Sequence, residues 1–251
     1  MAQQERPPRE VSVIFPTYNE KDNIAPLIQE AIKYTPQKTE IIVVDDDSPD
    51  GTWQVVENMA RTQDNIYLLR RTNKKGLVSA LQDGIAISRG NVIIWSDCDF
   101  SMPPEKMKDL LSSISMGYDM AVGSRFVKGG GVEVITESSD TLLAFLMSRS
   151  LNRFLQKFLD PGFKDWTSGF IAVKKNVLDQ IPLKGDYGEY FIDLIYRARR
   201  LGYRIKEIPY VSTARKSGCS KTGSHFMDYI SKGWKYIWLA WRLKFTKIKK
   251  G

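Results

Sequence analysis

Three short polar segments in this chain each follow an apolar run and contain acidic residues. They span residues 16–20, 45–52 and 97–101. Carboxylates repel a diphosphate directly, but a bridging Mg²⁺ or Mn²⁺ takes oxygen ligands from one or two carboxylates and from phosphates. The three segments together predict a divalent-metal site for a diphosphate ligand, with Asp97-Cys98-Asp99 at its centre.

Other interpretations of these segments are weaker. Acid pairs in loops are commonly solvated turns or helix caps, and Asp50 and Thr52 are placed to cap a helix. A dinucleotide site would need a Gly-rich turn after the first strand, and residues 16–20 contain no glycine. A receiver domain needs an acid pair at that point, where this chain has Pro16. Convergence of all three segments favours a ligand site.

An alternation of strands and helices over the first 125 residues would position these segments. The predicted strands are 11–15, 41–44, 66–69, 92–95 and 120–122, and the predicted helices are 23–34, 52–61, 76–88 and 105–114. The strands are continuous apolar runs, which indicates a mostly parallel sheet covered by helices on both faces. In such α/β sheets the carboxyl ends of the strands meet at one edge, where ligands bind.

The remainder of the chain predicts further elements of the same domain and a C-terminal appendage. Helices are expected at 141–158, 190–201 and 226–245, and strands at 166–173 and 203–209. We expect residues 1–10 to be a disordered arm, 11–223 to be one catalytic domain, and 224–251 to be a basic amphipathic helix.

The net charge of +8 on 251 residues lies almost wholly in the C-terminal segment. Ten Lys and Arg residues and one acid, Asp228, lie between Ser212 and Gly251. Such a segment favours an anionic surface, either membrane or nucleic acid. An apolar stripe at helical spacing accompanies it, which is typical of a helix in the membrane interface, although part of the stripe could pack on the core. The stripe comprises Ile230, Trp234, Ile237, Trp238, Trp241 and Phe245.

No apolar stretch resembling a signal peptide or a membrane span is present in the sequence. Two cysteines make no disulfide framework and favour a reducing compartment. We therefore expect a peripheral protein on the cytoplasmic face of a membrane, bound through residues 226–245, with no nucleic-acid partner.

The motifs themselves resemble those of a known family. Residues 13–20, residues 43–52 and Asp97-Cys98-Asp99 are similar to family 2 glycosyltransferases of the GT-A fold. Gly123-Ser124-Arg125 and the stretch 215–221, which has the form Arg-x-x-Gly-x-Ser-Lys, narrow the resemblance to the dolichol-phosphate (polyprenyl-phosphate) mannose synthase group. The resemblance covers residues 11–221.

The resemblance implies a role for each matching residue. It implies a nucleotide-sugar pocket, a Mg²⁺ or Mn²⁺ site and a set of phosphate-neutralising cations, with Asp99 and these cations as the catalytic residues. The nucleoside would contact Pro16, Tyr18, Glu20, Val44 and Asp46, and the nucleotide would also contact Asp97 and Cys98. The metal would bind Asp97, Asp99 and Ser101. The phosphates would contact Arg125, Arg215 and Lys221.

One departure from the group concerns the acceptor. The group carries an Arg four residues before the Ser of a Ser-Arg-x-x-Asn stretch, and both help to hold the acceptor phosphate. Here the stretch begins at Ser148 and Arg149, and the earlier position is Ala144. The preceding connection, 129–140, is also lengthened and Gly-rich. Ser148 and Arg149 remain the predicted acceptor-phosphate residues.

The implied reaction is inverting transfer of a sugar, mannose from GDP-mannose, to a polyprenyl or dolichyl monophosphate. A lipid phosphate is anionic and attacks without a protein base, whereas a hydroxyl acceptor would need one. Two alternatives stay open: another donor such as UDP-glucose with a lipid-phosphate or hydroxyl acceptor, and a catalytically silent membrane or nucleic-acid binding module. The sequence also leaves open whether a separate membrane subunit takes part.

Overall fold

A seven-stranded sheet organises the chain, with strand order β3-β2-β1-β4-β7-β5-β8. The computed structural model describes residues 8–133, 139–213 and 226–246, with the backbone alone for 139–145 and 226–232. The strands are β1 (Val11–Thr17), β2 (Thr39–Asp45), β3 (Ile66–Arg70), β4 (Val92–Trp95), β5 (Met120–Ser124), β6 (Gly131–Val132), β7 (Ile171–Lys174), β8 (Ile205–Pro209) and β9 (Val211–Ser212). The helices are α1 (Lys21–Lys33), α2 (Thr52–Ala60), α3 (Leu77–Ile87), α4 (Met107–Ser115), α5 (Ser139–Phe158), α6 (Lys175–Gln180), α7 (Glu189–Arg200) and α8 (Phe226–Phe245).

The sheet is mostly parallel, as the apolar runs predicted. β1 is parallel to β2 and to β4, β2 is parallel to β3, and β5 is parallel to β8. β7 is antiparallel to both β4 and β5, between which it lies. β6 and β9 form a separate two-stranded parallel sheet. The predicted α/β architecture is confirmed.

Helices cover both faces of the sheet and bury two apolar layers. One layer joins the sheet to α3, α5, α6, α7 and α8, and the other joins it to α1, α2 and α4. Alternate residues of β1 point to opposite layers: Val13 and Phe15 to one and Ile14 to the other. Burial on both faces explains why the central strands are continuous apolar runs.

The predicted strand over 166–173 was wrong in its first half. β7 begins at Ile171, because Gly169 has a left-handed backbone (φ 75°) that interrupts the extended run. Trp166 is buried in a loop, where its indole Nε1 donates to the Phe163 carbonyl at 3.1 Å. The short helix α6 was not predicted, because six residues are too few for a clear helical period.

Helix α8 packs on the domain through a different stripe from the predicted one. Leu239, Ala240 and Leu243 are buried in the core layer that includes α7. The aromatic stripe lies outside this contact, and Trp234, Trp238, Trp241 and Phe245 are each more than 60% exposed. Core packing therefore does not account for the stripe.

In the part of the chain described, no helix combines the length and apolar character needed to cross a bilayer.

Candidate active site

The three acidic loops converge at one edge of the sheet. They follow β1, β2 and β4, which are neighbouring parallel strands, so Thr17 lies opposite Asp45 and Ile14 opposite Trp95. β2 and β3 extend the sheet on one side of β1, whereas β4 lies on the other. A crevice outside the strand ends at such a switch point is the usual ligand site of open α/β sheets. The predicted convergence is confirmed.

Hydrogen bonds tie the three loops to one another. The amides of Asn19 and Glu20 donate to Ser48 Oγ at 3.0 Å and Thr52 Oγ1 at 2.9 Å. On the other side, the Cys98 thiol donates to the carbonyl of Pro16 at 3.4 Å. The loops therefore form one connected rim, and a ligand in the crevice would meet fixed groups from all three.

One residue in each loop has a left-handed backbone. The φ angles are 56° at Asn19, 58° at Asp47 and 64° at Phe100, and among the described residues no other non-glycine residue has positive φ. Asn and Asp adopt this conformation readily, but for a bulky side chain such as Phe it is an outlier. Backbone strain of this kind clusters at functional sites. The presence of one such residue in each loop is therefore independent evidence that the ligand site lies at this edge of the sheet.

A buried arginine after β3 fixes the carboxylate of Asp46. Arg71 Nε donates to Asp46 Oδ1 at 2.7 Å, Nη2 donates to the same oxygen, and the Gly76 amide donates to Oδ2 at 2.7 Å. Arg71 Nη1 also donates to Asp83 Oδ2 at 3.0 Å. Because Arg71 is itself buried, this network holds Asp46 in one orientation.

The other predicted nucleoside contacts differ in their placement. Tyr18 is half-buried, and the Lys75 ammonium lies 4.9 Å from its ring centroid. Glu20 is buried and accepts a hydrogen bond from the Asn23 side-chain amide at 2.9 Å. The side chain of Val44 is fully buried in the core layer with α3. The structure therefore does not bring the Val44 side chain to the crevice.

The two acids of Asp97-Cys98-Asp99 differ in exposure. Asp97 is exposed at the crevice edge, whereas Asp99 is buried. Asp99 Oδ1 accepts a hydrogen bond from the Ser101 amide at 3.0 Å, which places Ser101 beside it.

These three residues fit a hard divalent cation. All offer oxygen ligands, and within residues 8–133, 139–213 and 226–246 no group of three or more His, Cys, Asp and Glu residues could hold a metal ion by itself. An ion here would use one or two carboxylates and complete its shell with water and diphosphate oxygens, which is how Mg²⁺ is commonly bound. The assignment to Asp97, Asp99 and Ser101 stays a prediction.

Arg125 is anchored by a buried carboxylate, Asp165. Its Nε and Nη2 donate to the two oxygens of Asp165, each at 2.8 Å. Burial disfavours the charged guanidinium, but Asp165, with a smaller contribution from Asp97, outweighs burial and raises the pKa of Arg125. Nη1 makes no hydrogen bond within the described ranges, so it is the donor placed to meet an anion.

Thr167 connects Arg125 to helix α5. Its hydroxyl accepts from Arg125 Nη2 at 3.0 Å and from Asn152 Nδ2 at 2.8 Å, and lies 3.4 Å from Ser148 Oγ. Arg149 is exposed on the same helix. The structure therefore brings Ser148 into the Arg125 cluster and leaves Arg149 on the helix surface.

Substitutions in the Arg125–Asp165 pair can separate the structural role of Arg125 from its catalytic role. Replacing Arg125→Met leaves a buried carboxylate unpaired, so we expect a loss of about 3–5 kcal/mol in the free energy of unfolding. The double variant R125M/D165N removes both charges and should regain most of that stability, but not the sugar-transfer activity. Urea unfolding and a transfer assay on the same preparations test this. A double variant with restored activity would remove Arg125 from the chemistry.

Comparison with known proteins decides the family. A family model described as Glycosyl transferase family 2 matches residues 12–181. This protein is a family 2 glycosyltransferase. The matched range includes the three acidic loops, Arg125, Ser148 and Asp165, so the predicted resemblance is confirmed.

Two curated relatives of this glycosyltransferase match most of its length. Polyprenol monophosphomannose synthase of Mycolicibacterium smegmatis is 35% identical over 235 residues, covering 90% of this chain and 86% of the relative. Dolichol-phosphate mannosyltransferase of Pyrococcus furiosus is 33% identical over 234 residues, covering 88% of this chain but only 61% of the relative.

Solved structures agree with the glycosyltransferase fold. Glucosyl-3-phosphoglycerate synthase from Mycobacterium tuberculosis, in complex with Mn²⁺, UDP and glucosyl-3-phosphoglycerate, has a TM-score of 0.69 and 18% identity, covering 95% of this chain and 81% of the other. A second structure of that protein contains Mg²⁺ and UDP and has a TM-score of 0.66 at 18% identity, covering 95% of this chain and 80% of the other. The likeness confirms the GT-A architecture.

Several predicted site residues of the glycosyltransferase lie outside the described residues. Arg215 and Lys221 belong to the segment 214–225, which the structure does not describe. Ala144 lies on α5, where the description is limited to the backbone. Their roles stay predictions.

Sequence reasoning missed three groups that hold the site together. Arg71 fixes Asp46 and Asp165 anchors Arg125, as described above. The third is Tyr190, whose hydroxyl accepts a hydrogen bond at 2.9 Å from Nε1 of Trp95, two residues before Asp97. Burial raises the pKa of Tyr190, so this hydroxyl stays neutral. A signal was present for Arg71, because it lies two residues after the predicted strand 66–69, at the same sheet edge. Asp165 and Tyr190 gave no such signal.

Proposed function

We propose that this enzyme transfers a mannosyl group from GDP-mannose to a polyprenyl or dolichyl monophosphate at the cytoplasmic face of a membrane, with inversion at the anomeric carbon. The observation that carries the proposal is the switch-point crevice with Asp97 and Asp99 near a half-buried, carboxylate-anchored Arg125, in a chain 35% identical to a polyprenol monophosphomannose synthase. The geometry supports diphosphate chemistry, and the relatives suggest the sugar and the lipid.

The donor half would be built on fixed groups. Asp46, held by Arg71 and the Gly76 amide, would accept hydrogen bonds from the base or ribose without reorganising. Tyr18 and Glu20 lie on the adjoining loop. A prepositioned carboxylate suits guanine, whose N–H groups are donors.

The leaving diphosphate would be stabilised by charge. A divalent cation bound to Asp97, Asp99 and Ser101 would supply Lewis-acid stabilisation of the leaving phosphate oxygens. Arg125 would add positive charge to the same region, since Asp97 contributes to its electrostatic environment. These groups would stabilise charge that develops during the reaction, which is commonly the largest catalytic contribution.

The acceptor half would lie on the α5 side of Arg125. The Ser148 and Thr167 hydroxyls, which lie beside Arg125, would contact a phosphate that Arg125 attracts. A phosphate acceptor needs no base, so single displacement requires no further residue here. Inversion follows from one displacement, and a trapped covalent sugar–enzyme intermediate would contradict it.

Arg215 and Lys221 are proposed to close over the diphosphate. The supporting observation is Thr213, the last described residue before them, whose hydroxyl donates to the carbonyl of Phe100 at 3.0 Å. The chain therefore enters segment 214–225 next to Asp99.

The donor is tested by transfer of label to polyprenyl phosphate from GDP-mannose, GDP-glucose, UDP-glucose and UDP-galactose, each with Mg²⁺ or Mn²⁺. We expect label in the lipid phase with GDP-mannose and much less with the other three. Preference for a UDP-sugar would sustain the glycosyltransferase but contradict the proposed donor.

Membrane contact is proposed to use the outer face of α8. Trp234, Trp238, Trp241 and Phe245 form its exposed stripe. Exposed basic side chains flank the stripe, among them Arg242, whose guanidinium lies 5.1 Å from the Trp238 ring centroid. Exposed aromatic residues with a basic surround are typical of helices that lie in the bilayer interface.

The double substitution W238S/W241S should weaken binding to anionic liposomes by at least about tenfold, because about 25 cal/mol is lost for each Å² of apolar surface no longer buried. Both side chains lie outside the buried face of α8, so the unfolding midpoint should change little. Flotation with Met116→Ser, which changes an exposed apolar residue just after α4, gives a control. Equal flotation of the wild type and W238S/W241S would contradict the membrane role of α8.

A further inference from the structure

A cleft between α7 and α8 contains charged groups that the proposed reaction does not use. Its volume is about 270 Å³. Its lining combines three acids, three cations and an apolar wall: Asp186, Glu189, Asp193, Lys184, Lys235, Arg242, Trp238 and Leu239. Opposite charges and an apolar wall together are the complement of a zwitterionic amphiphile.

One carboxylate oxygen of Asp193 at this cleft lacks a hydrogen bond, although Arg197 forms an ion pair with it. The residue is 5% exposed, and its Oδ2 makes no hydrogen bond in the described part of the chain. Arg197 approaches to 3.6 Å, beyond hydrogen-bond range, and its Nη1 is also without a hydrogen bond there. Burial raises the pKa of Asp193 although Arg197 opposes the shift. An unmet buried acceptor beside an open cleft points to a donor supplied by a ligand.

We propose that this cleft binds the headgroup of phosphatidylethanolamine from the membrane on which α8 lies. The ammonium would donate hydrogen bonds to Asp193 and Glu189, and the phosphate would pair with Lys235 and Arg242. This inference rests on the proposed membrane contact of α8.

The position and charge of the cleft favour this occupant. Lys235, Trp238 and Arg242 belong both to the cleft wall and to the exposed side of α8, so the cleft opens beside the proposed membrane face. A phosphomonoester, such as a polyprenyl phosphate, carries no cation to meet the three acids. Phosphatidylcholine lacks N–H donors and would leave Asp193 Oδ2 unmet.

The test is binding of the full chain to vesicles of phosphatidylcholine alone, or with one third phosphatidylethanolamine or phosphatidylglycerol, measured by flotation across lipid concentrations. Wild type should bind the phosphatidylethanolamine vesicles roughly tenfold more tightly than phosphatidylcholine vesicles, the size of one charge-assisted hydrogen bond. The variants Asp193→Asn and Lys235→Met should lose this preference, and Asp193→Asn should keep its binding to phosphatidylglycerol vesicles within about twofold. Asp179→Asn, an exposed acid on α6, is the matched control and should keep the preference.

The outcomes separate this inference from the proposed function. Equal binding to vesicles with and without phosphatidylethanolamine, or a preference that survives in both Asp193→Asn and Lys235→Met, overturns the headgroup site and leaves membrane contact intact. No binding to any vesicle overturns both the site and the membrane role of α8. Sugar transfer to a short-chain acceptor in solution tests the proposed reaction independently of either. Lys235 is exposed, so Lys235→Met remains informative if Asp193→Asn fails to fold.

Discussion

Replacing Asp99→Asn should reduce sugar transfer by about two to three orders of magnitude, the usual cost of removing one preorganised group that stabilises developing charge. The fold should be retained, because the Asn carbonyl can still accept the hydrogen bond from the Ser101 amide. We expect the loss in kcat at saturating donor, together with a higher concentration of Mn²⁺ needed for half-maximal rate. Steady-state kinetics over a Mn²⁺ titration measures both quantities.

The matched control for Asp99→Asn is Asp109→Asn. Asp109 lies on α4 with its side chain 39% exposed and forms a surface ion pair with Lys106. Such pairs contribute about 0–1 kcal/mol, so its loss should leave kcat and the Mn²⁺ requirement unchanged. A near-wild-type kcat for Asp99→Asn at the same Mn²⁺ concentration would exclude Asp99 from metal binding and catalysis.

Replacing Arg71→Met should raise the KM for the donor by about 10- to 100-fold while kcat falls much less. The nucleotide contact is made equally in the ground state and in the transition state, so its loss weakens donor binding without raising the barrier from the bound complex. The physical reason is that Asp46 loses the guanidinium that orients it. Asp46 would also be left buried without its charged partner, which should lower the free energy of unfolding by about 3–5 kcal/mol. Donor kinetics and urea unfolding provide the two measurements.

The adjacent Arg70→Met is the control for Arg71→Met. Arg70 pairs with Asp47, but its side chain is 39% exposed and its guanidinium lies 3.7 Å from the Trp53 ring centroid. Loss of this exposed pair should change stability by about 1 kcal/mol or less and leave the donor KM near wild type. If Arg71→Met and Arg70→Met had the same donor KM, Arg71 would not position the nucleotide pocket.

The sequence was sufficient to predict the donor edge of the fold. β1, β2 and β4 are continuous apolar runs followed by acidic loops, and parallel pairing brings their ends together whatever the details of packing. That rule placed Asp46 and Asp99 at one edge without any contact being known. Strand pairing does not determine which side chains at a strand end face the core, so the same rule could not show that the side chain of Val44 points into the core.

The sequence could not predict how the second half of the chain completes the site. A strand buried on both faces has the same apolar pattern whether it is parallel or antiparallel, so the insertion of β7 between β4 and β5 left no local signal. Asp165 pairs with Arg125 across 40 residues, and such a contact depends on tertiary structure. The helix α8 was predicted, but only the structure shows that Leu239 and Leu243, which lie outside the predicted stripe, pack on the core.

The most direct test of the proposed function compares two acceptors of the same chain length, a polyprenyl monophosphate and the corresponding polyprenol. The purified full chain is given labelled GDP-mannose and Mn²⁺, with Asp99→Asn as the inactive reference, and label in the lipid phase is measured. We predict label in the polyprenyl phosphate alone, released by mild acid as expected of a sugar phosphate. Label in the polyprenol, or label in neither acceptor above the Asp99→Asn background, would contradict the account.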